Sequence, residues 1–229
     1  IAATDIAAYF HTGGTTGAPK LARHSHGAQV FTAWGSVQMQ GIRPEDVGIN
    51  GYPLFHVAGV LPSSLAALSA GVETIIPTTG LFRNREVIAN YWRLVERYRC
   101  TYLSAVPTVL AALANVPLDG ADISTLRYCR TGAAILAPEL AARFERLFNL
   151  HIHESLGMTE MAGISTITPP GAPSALTRVF GHSASAVWIA GGPAYLAFWD
   201  GNALAQWPAN PHGYAMRVPK LSLRLREYE

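Results

Sequence analysis

Residues 126–155 form the stretch LRYCRTGAAILAPELAARFERLFNLHIHES, whose pattern decides the fold class. The runs at its ends, Leu126–Arg130 and Leu150–Ser155, are predicted strands. Between them, Pro138 suits the first turn of a helix, where a backbone N–H is not needed. The apolar residues of that helix are expected on one face: Leu140, Phe144 and Leu147. Strand, helix and strand with short connections predict an α/β fold, with a mostly parallel sheet flanked by helices.

The chain before this stretch repeats the alternation. Val72–Pro77 and Thr101–Val106 are predicted strands, and Pro107 ends the second of them. Asn84 is a predicted N-cap of the intervening helix. The apolar residues of that helix recur at helical spacing: Val87, Ile88, Tyr91, Val95 and Tyr98. A short Leu- and Ala-rich helix is predicted to follow, as far as about Asn115. Because such sheets bind ligands at the carboxyl ends of their strands, the loops after strands should carry the functional residues.

The last part of the chain has a different pattern. From Ser174 onward, glycine and proline interrupt every long helix. Alternating leucines near the end predict an edge strand: Leu221, Leu223 and Leu225. We therefore predict a main α/β domain over residues 1–173 and a small, irregular, β-rich region over residues 174–229.

Composition disfavours several function classes. The chain has 229 residues, of which 49% are hydrophobic and 14% are charged, which is enough to bury a core. The formal net charge is +2 and the Lys and Arg residues are scattered, so no nucleic-acid partner is predicted. No run of about 18 apolar residues occurs, so no membrane span is predicted.

Three features bear on the compartment and the extent of the chain. Cys100 and Cys129 favour a reducing compartment, and no signal-peptide pattern argues for secretion, so a cytoplasmic location is expected. Both cysteines lie in or just before predicted strands and are expected to be buried and inert. The chain opens at Ile1 rather than at Met, and we interpret it as a piece of a longer protein.

The strongest functional signal is TGGTTGAPK, over Thr12–Lys20. Its glycines let the backbone approach a ligand closely, and its hydroxyls and lysine add donors and a positive charge. The candidate polyphosphate site comprises Thr12, Gly13, Gly14, Thr15, Thr16, Gly17 and Lys20. A P-loop is disfavoured, because Ala18 and Pro19 separate the glycine from the lysine and Leu21 stands where Ser or Thr is required. A flexible surface hairpin is the alternative.

A second segment, ESLGMTE over Glu154–Glu160, comes at the end of a predicted strand, where the sheet rule places ligands. Thr159 offers a hydroxyl to a phosphate or carboxylate oxygen, and Glu160 offers a carboxylate to Mg²⁺. A capped helix start is the alternative for this pair. A metal site formed by His151 and His153 with the first glutamate of the segment is disfavoured, because no further ligand is evident.

Two further segments are less specific. YPLFHVAG, over Tyr52–Gly59, contains His56, for which a structural hydrogen bond to the backbone is the alternative to a functional role. TGAA, over Thr131–Ala134, follows a predicted strand, and its small residues would let a ligand pack against the backbone. A tight strand-to-helix turn is an alternative there that is compatible with binding.

These four segments occur in the order phosphate loop, aromatic loop, Gly-Ala turn and GMTE. In that order, and with a His-Ser-His segment at His24–His26, residues 9–163 resemble the adenylate-forming (acyl-CoA synthetase-like) family. The resemblance implies that residues 1–173 are part of the family's large AMP-binding domain. It also implies activation of a carboxylic acid with ATP, which gives acyl-AMP and pyrophosphate, and transfer to a thiol of a carrier protein or, as we expect, of CoA.

The resemblance further implies residue roles. The loop Thr12–Lys20 would hold phosphates, and Thr159 and Glu160 would act in catalysis, with Glu160 on Mg²⁺. His56, near the acyl pocket and the thioester path, would also act in catalysis. The remaining expected nucleotide contacts are Gly132, Ala133, Ala134, Leu156, Gly157 and Met158. Since the family usually has an aromatic residue where Leu156 stands, adenine stacking is lost here.

Several parts of the family pattern are not found in the sequence. They are the ribose-binding Thr-Gly-Asp segment, the small C-terminal domain with its catalytic lysine, and a large portion upstream of Ile1. The stretch DGNALAQWPANPHGYAMRVP at residues 200–219 is similar to the family segment DGxxLPxGExGExxVxGP. We therefore expect a ligase fragment, inactive alone, whose parent activates a hydrophobic fatty or aromatic acid. The alternative is a nucleotide- or acyl-binding remnant without catalysis.

Overall fold

The structure is a computed structural model that describes residues 1–12 and 20–168, and the backbone of Ala197–Trp199 and Leu204–Gln206. The chain divides after Ala175 into two parts. The first part begins with an antiparallel hairpin of β1 (Ile6–Thr12) and β2 (Lys20–Ser25). Thr12 and Lys20 are partners at the end of the hairpin from which the connecting loop leaves.

A six-stranded sheet forms the centre of the first part, in the order β4-β3-β5-β6-β7-β8. Its strands are β3 (Val47–Ile49), β4 (Glu73–Ile75), β5 (Tyr102–Ser104), β6 (Tyr128–Gly132), β7 (Ile152–Met158) and β8 (Gly163–Ile167). All neighbours from β4 to β7 are parallel, and β8 is antiparallel to β7. The expected α/β fold with a mostly parallel sheet is confirmed.

The main difference from expectation concerns β7. This strand was predicted to end at Ser155 and instead continues through Met158. The reason is a long-range one: β8 returns antiparallel and pairs with Ser155, Leu156, Gly157 and Met158, so that the backbone groups of this stretch have strand partners. Residues 155–158 therefore lie within the sheet rather than in a loop after it.

Helices cover both faces of the sheet. They are α1 (His26–Gln40), α2 (Val57–Val60), α3 (Ala66–Ser69), α4 (Arg85–Ala89), α5 (Tyr91–Tyr98), α6 (Pro107–Leu113) and α7 (Pro138–Phe148). A π-helical segment, Leu61–Leu65, joins α2 to α3, and 3₁₀ turns occur at Leu81–Arg83 and Thr159–Met161. Pro138 opens α7 as predicted, and Pro107 opens α6 after ending its strand.

The helix predicted after Asn84 is two helices. Asn84 is the N-cap, as predicted, since its side chain accepts a hydrogen bond from the N–H of Glu86 at 2.9 Å. The break comes at Asn90, whose Nδ2 donates to the carbonyl oxygen of Glu86 at 2.9 Å. Asparagine side chains compete in this way with the backbone for helix hydrogen bonds, which explains why one periodic stretch gives α4 and α5.

One face of the sheet is an apolar core under α5, α6 and α7. Its buried members include Tyr91, Trp92, Val95, Leu103, Leu110, Leu113, Cys129, Phe144, Phe148 and Ile152. The predicted face of α7 is wrong at Leu147, which is 49% exposed. The buried arc of α7 contains Phe144, Phe148 and Ala141. Leu147 lies outside this arc, on the side of Phe144 that is away from Phe148 and Ala141.

The other face carries polar residues and lies toward α1 and α3. The rings of Tyr102 and Tyr128 stack there with centroids 5.7 Å apart. Because strand side chains alternate between faces, Ser104 and Arg130 follow these tyrosines onto the same face, while Leu103 faces the apolar core. This alternation brings a buried arginine to the side of the sheet where the functional site lies.

In the second part, β9 (Ala197–Trp199) and β10 (Leu204–Gln206) form an antiparallel pair. The edge strand predicted around residues 221–225 lies outside the described residues, and the predicted division into residues 1–173 and 174–229 stays a prediction. Among the described helices, none has the length and apolar character needed to cross a bilayer.

Candidate active site

A cleft of about 300 Å³ lies where β6 and β7 end. It brings together eight of the residues predicted from the sequence: Thr12, His56, Gly132, Ala133, Gly157, Met158, Thr159 and Glu160. Tyr52, Arg130 and Ser155 also line it. Segments that are widely separated in sequence thus converge, as expected for the carboxyl edge of a parallel sheet.

The predicted phosphate loop joins the two strands of the β1–β2 hairpin. Its first and last residues are described, and the hydroxyl of Thr12 donates to the carbonyl oxygen of Lys20 at 3.3 Å. Thr12 lines the cleft, whereas Lys20 is exposed and lies outside its lining. Residues 13–19 lie outside the described residues, so the roles of Gly13, Gly14, Thr15, Thr16 and Gly17 stay predictions. A hairpin is present, and it is compatible with both interpretations of this segment.

The hairpin is fixed to the Thr159–Met161 turn by His24. This side chain is 2% exposed, and its Nε2 lies 2.6 Å from the carbonyl oxygen of Thr159. Because the carbonyl can only accept, Nε2 carries the proton. The sequence shows a His-Ser-His segment but not this contact, which joins residues 135 positions apart.

The turn that carries Thr159 and Glu160 is a single 3₁₀ turn between β7 and β8. Glu160 is exposed at the rim of the cleft, and Thr159 is half-buried beside it. No side-chain hydrogen bond caps this turn. The capped helix start, which was the alternative from the sequence, is therefore not present here. The predicted loop after a strand is therefore a tight turn at the end of a longer strand.

The Thr131–Ala134 segment makes a tight turn out of β6. Ala133 has a φ of +68°, in the left-handed region that residues with a Cβ seldom adopt. A Cβ at Gly132 would collide with the side chain and backbone of Ser155, whose hydroxyl donates to the carbonyl oxygen of Thr131 at 2.8 Å. The turn considered as the alternative is therefore present, and Gly132 and Ala133 line the cleft while Ala134 does not.

The segment Leu156–Met158 is divided where the pairing of β7 with β8 shifts register, between Leu156 and Gly157. Gly157 and Met158 line the cleft, and Leu156, 38% exposed, does not. A Cβ at Gly157 would collide with the carbonyl group of Gly163 on the paired strand. The glycine therefore allows β7 and β8 to close around this end of the cleft.

His56 is the N-cap of α2. Its Nδ1 accepts a hydrogen bond from the N–H of Ala58 at 3.1 Å, so the neutral ring carries its proton on Nε2. Partial burial lowers the pKa of His56, and repulsion from His11 lowers it further. The structural hydrogen bond considered from sequence is thus present, in a residue that also lines the cleft.

Arg130 is the main residue that the sequence interpretation missed. It is 3% exposed and donates hydrogen bonds to Gln40, Ser63 and Ser104. Ser104 in turn donates to the phenol oxygen of Tyr52 at 3.2 Å. Burial raises the pKa of Tyr52, and the nearby guanidinium opposes that rise. The signal for Arg130 in the sequence was a charged residue at the end of a predicted strand.

A second cleft, of about 560 Å³, shares Tyr52 with the first and is mainly apolar. Its lining includes Pro53, Leu54, Phe55, Ile76, Leu81, Phe82, Val106 and Val109.

The two histidines and the two cysteines that were considered from the sequence lie among structural contacts. The Nδ1 of His153 lies 3.0 Å from the carbonyl oxygen of Thr168, and His151 is exposed with its Nδ1 3.9 Å from Glu145. Within residues 1–12 and 20–168, no group of three or more His, Cys, Asp or Glu side chains is placed to hold a metal ion. Cys100 and Cys129 are buried and unbridged, as predicted, and burial raises the pKa of Cys100 to about 12.

Comparisons with known proteins agree with this geometry. The family described as AMP-binding enzyme matches residues 1–187. A marinolic acid–CoA ligase of Pseudoalteromonas sp. is 37% identical over 68% of this chain and 25% of its own length. A sulfoacetate–CoA ligase of Cupriavidus necator is 31% identical over 69% of this chain and 30% of its own length.

The solved structure of an anthranilate CoA ligase in complex with anthranoyl-AMP superposes with a TM-score of 0.66 at 26% identity. The match covers 74% of this chain and 32% of that ligase, so the chain spans about a quarter to a third of the length of these relatives. With a family match over most of its residues and CoA ligases among its relatives, the chain belongs to the AMP-binding enzyme family.

Proposed function

We propose that the protein containing this chain activates a carboxylic acid with ATP and transfers the acyl group to CoA. The observation that carries the proposal is the cleft itself, where Thr12, the Gly132–Ala133 turn and the Thr159–Glu160 turn meet. The family match and the acyl-adenylate bound in a structural relative support the same chemistry.

The nucleotide site follows from these elements. The loop Thr12–Lys20 and the hydroxyl of Thr159 bind the phosphates, and the Gly132–Ala134 and Leu156–Met158 segments flank the adenine. Since Ala134 and Leu156 lie outside the cleft lining, their contribution to adenine binding is the weakest of the set. In the absence of an aromatic residue at Leu156, the adenine is held by apolar contact without stacking.

Glu160 suits Mg²⁺ in this arrangement. Its carboxylate is exposed at the rim beside Thr159, and Mg²⁺ in nucleotide sites is commonly held by one or two carboxylates together with phosphate oxygens and water. The bound ion would neutralise phosphate charge. The lack of a larger acidic cluster among the described residues is compatible with this kind of site.

The first chemical step joins a carboxylate oxygen of the acid to the α-phosphorus of ATP and breaks the bond to the β-phosphate. Acyl-AMP forms and pyrophosphate leaves. The chain contributes by positioning both reactants and by placing donors around the developing phosphate charge. In the second step, the CoA sulfur attacks the acyl carbonyl and AMP leaves. His56 lines the cleft as a donor through Nε2, since its Nδ1 is already occupied as the N-cap.

We propose that the acid has an apolar body, fatty or aromatic. Apolar side chains line parts of the first cleft, among them Val57, Pro62 and Ile164, and most of the second. We assign the second cleft to an apolar tail or to the arm of the acceptor. The two unbridged cysteines are compatible with the reducing cytoplasm as the place of reaction.

Pyrophosphate release by the full-length parent, measured with a panel of fatty and aryl acids, tests the proposal. Release that depends on both ATP and one acid class is expected. If no acid supports release while ATP still binds, the parent is the alternative, a nucleotide- or acyl-binding protein without catalysis.

We further propose that the 229-residue chain alone binds ATP weakly and is nearly inactive, because the ribose-binding and lysine contacts of the family are not found in it. Calorimetric titration with ATP and Mg²⁺ checks the first point. Turnover of about 1 per second or more by the chain alone would contradict the second, and Lys220 would then be the first candidate for a substitute cation.

A further inference from the structure

Arg130 is a buried cation held by neutral groups from three other elements. Its Nη1 donates to Oε1 of Gln40 at 2.7 Å, and its Nη2 donates to the hydroxyl of Ser63 at 3.0 Å. Both Nε and Nη2 donate to the hydroxyl of Ser104, at 3.0 and 2.6 Å. These partners come from α1, from the π-helical segment Leu61–Leu65 and from β5. π-Helical turns are frequent at functional sites.

The hydrogen-bond partners of Arg130 among the described residues are all neutral. Within residues 1–12 and 20–168, it makes no ion pair. A second arginine three residues earlier shows the contrast, because Arg127 pairs with the buried carboxylate of Asp46. Burying a guanidinium away from water without an anion is costly, and arginine cannot lose its proton to avoid that cost.

The hydrogen bonds orient Arg130 but leave it capacity for a ligand. Gln40 is fixed by its own donation to the carbonyl oxygen of Ser36 at 3.0 Å, so its Oε1 is directed to the guanidinium. An arginine has five N–H donors, and the four hydrogen bonds described leave one N–H on Nη1 for another acceptor. Arg130 also lines the first cleft, so a ligand in the cleft can supply the missing negative charge.

Depth within the cleft separates this group from the nucleotide site. Glu160 is exposed at the rim and Thr159 is half-buried, whereas Arg130 is 3% exposed. The reacting carboxylate has to meet the α-phosphate near Thr159, and the rest of the acid then extends inward. Apolar residues in the lining of the same cleft, Val57 and Ile164, suit the body of the acid.

We propose that Arg130 is a specificity-determining residue that binds a second anionic group on the acid, so that the preferred substrate has an apolar body with two acidic ends. This inference rests on the proposed function, since it assigns the deep end of the cleft to the acid. It narrows the class of hydrophobic acids to those with a second carboxylate or a comparable anion.

Direct binding to the 229-residue chain tests the inference without requiring turnover. Matched pairs of acids serve as probes: octanoate with suberate, decanoate with sebacate, and benzoate with terephthalate. Calorimetry should show that at least one dicarboxylate binds about tenfold or more tightly than its monocarboxylate partner, because a site with a buried donor rejects the analogue that leaves it unpaired.

Three variants assign the preference to Arg130. Arg130→Met keeps length and volume but removes the charge, and should abolish the preference. Arg130→Lys keeps a charge without the planar fork and should retain part of it. Arg143→Met alters an exposed arginine on α7 outside the cleft and should leave the preference unchanged. Circular dichroism and thermal melts establish that each variant is folded. If Arg130→Met does not fold, the wild-type preference and its reduction in Arg130→Lys decide.

Several outcomes would overturn the inference. One is equal binding of mono- and dicarboxylates by the wild-type chain, and another is a dicarboxylate preference that survives in Arg130→Met. A third is a loss of AMP binding in Arg130→Met as large as the loss of dicarboxylate binding, which would assign Arg130 to phosphate. Pyrophosphate release by the parent is measured separately. Release with monocarboxylates alone would contradict the inference but support the proposed function. Selective dicarboxylate binding without release would support the inference but contradict the proposed function.

Discussion

The two faces of the central sheet use alternating residues of the same strands for different purposes. Adjacent residues divide as Leu103 and Ser104, Cys129 and Arg130, and Ile152 and His153, the first of each pair belonging to the apolar core. The apolar face is buried under α5, α6 and α7, while the polar face holds a cation by hydrogen bonds beside the cleft. Close packing on one face supplies the rigidity with which the other face orients a buried charge.

The largest effect should come from the apolar face. Phe144 is fully buried and packs against Phe148 with ring centroids 4.6 Å apart. Phe144→Ala should lower the free energy of unfolding by about 3–5 kcal/mol, the usual cost of such a truncation in a core. Urea denaturation measures it. Leu147→Ala on the same helix is the matched control, and because Leu147 is 49% exposed it should cost far less. Equal losses in the two variants would mean that the buried arc of α7 is wrongly placed.

The next effect should come from the phosphate loop, and it should change activity rather than stability. In the full-length parent, Lys20→Ala and Thr16→Ala should each slow adenylation by about 10²- to 10³-fold, because one preorganised donor at developing charge is lost. Lys20 is exposed, so its loss should leave the melting temperature nearly unchanged.

Arg23→Ala is the matched control for Lys20→Ala, since it removes an exposed cation from β2 outside the cleft lining. Adenylation should be unaffected by this change. Unaltered adenylation in Lys20→Ala and Thr16→Ala would instead return the loop to the interpretation as a surface hairpin.

These contrasts also show which features were accessible from the sequence. The parallel sheet, the N-cap at Asn84 and the helix start at Pro138 depend on local patterns and were predicted. The antiparallel return of β8 depends on pairing between strands, and it turned a predicted loop after Ser155 into sheet. No local periodicity carries that information.

The polar face was not predictable for the same reason. The partners of Arg130 lie 26, 67 and 90 positions away in sequence, and each is an ordinary serine or glutamine in its own segment. The contact between His24 and Thr159 spans 135 positions. The motifs predicted segments that meet at the cleft, whereas the groups that orient or complete the site are brought there by long-range contacts that no motif contains.

A smaller effect is expected at the rim, where Glu160 is assigned to Mg²⁺. Glu160→Gln keeps size and hydrogen bonding but removes the charge. In the parent, it should raise the Mg²⁺ concentration required for half-maximal adenylation by about tenfold. The melting temperature should stay near normal, because no side-chain hydrogen bond caps this turn.

Glu139→Gln is the control for Glu160→Gln, since Glu139 is an exposed carboxylate in the first turn of α7. It should leave the Mg²⁺ requirement unchanged. A Glu160→Gln variant with normal Mg²⁺ dependence and a loss of stability of about 0.5–2 kcal/mol would show a capping role and contradict the metal assignment.

The smallest effect concerns protonation of His56, on the exposed side of the cleft. Its pKa is lowered from the ordinary value of 6.5, first by burial and then by repulsion from His11. The folded state therefore binds a proton on His56 less readily than the unfolded state does. The neutral His56 N-cap stabilises the fold above about pH 6.5, and this stabilisation is lost as the pH falls through the lowered pKa. His56→Asn retains a capping side chain that does not titrate, so the stability difference between wild type and variant should change with pH across this window.

Proton NMR titration of the His56 ring measures its pKa directly, and a value at or above 6.5 would contradict the assignment. His11→Gln separates the two causes. Because burial is the larger of them, this change should raise the pKa of His56 only part of the way back to its ordinary value. Full recovery in His11→Gln would mean that repulsion between the two rings, rather than the wall of the cleft, keeps His56 neutral.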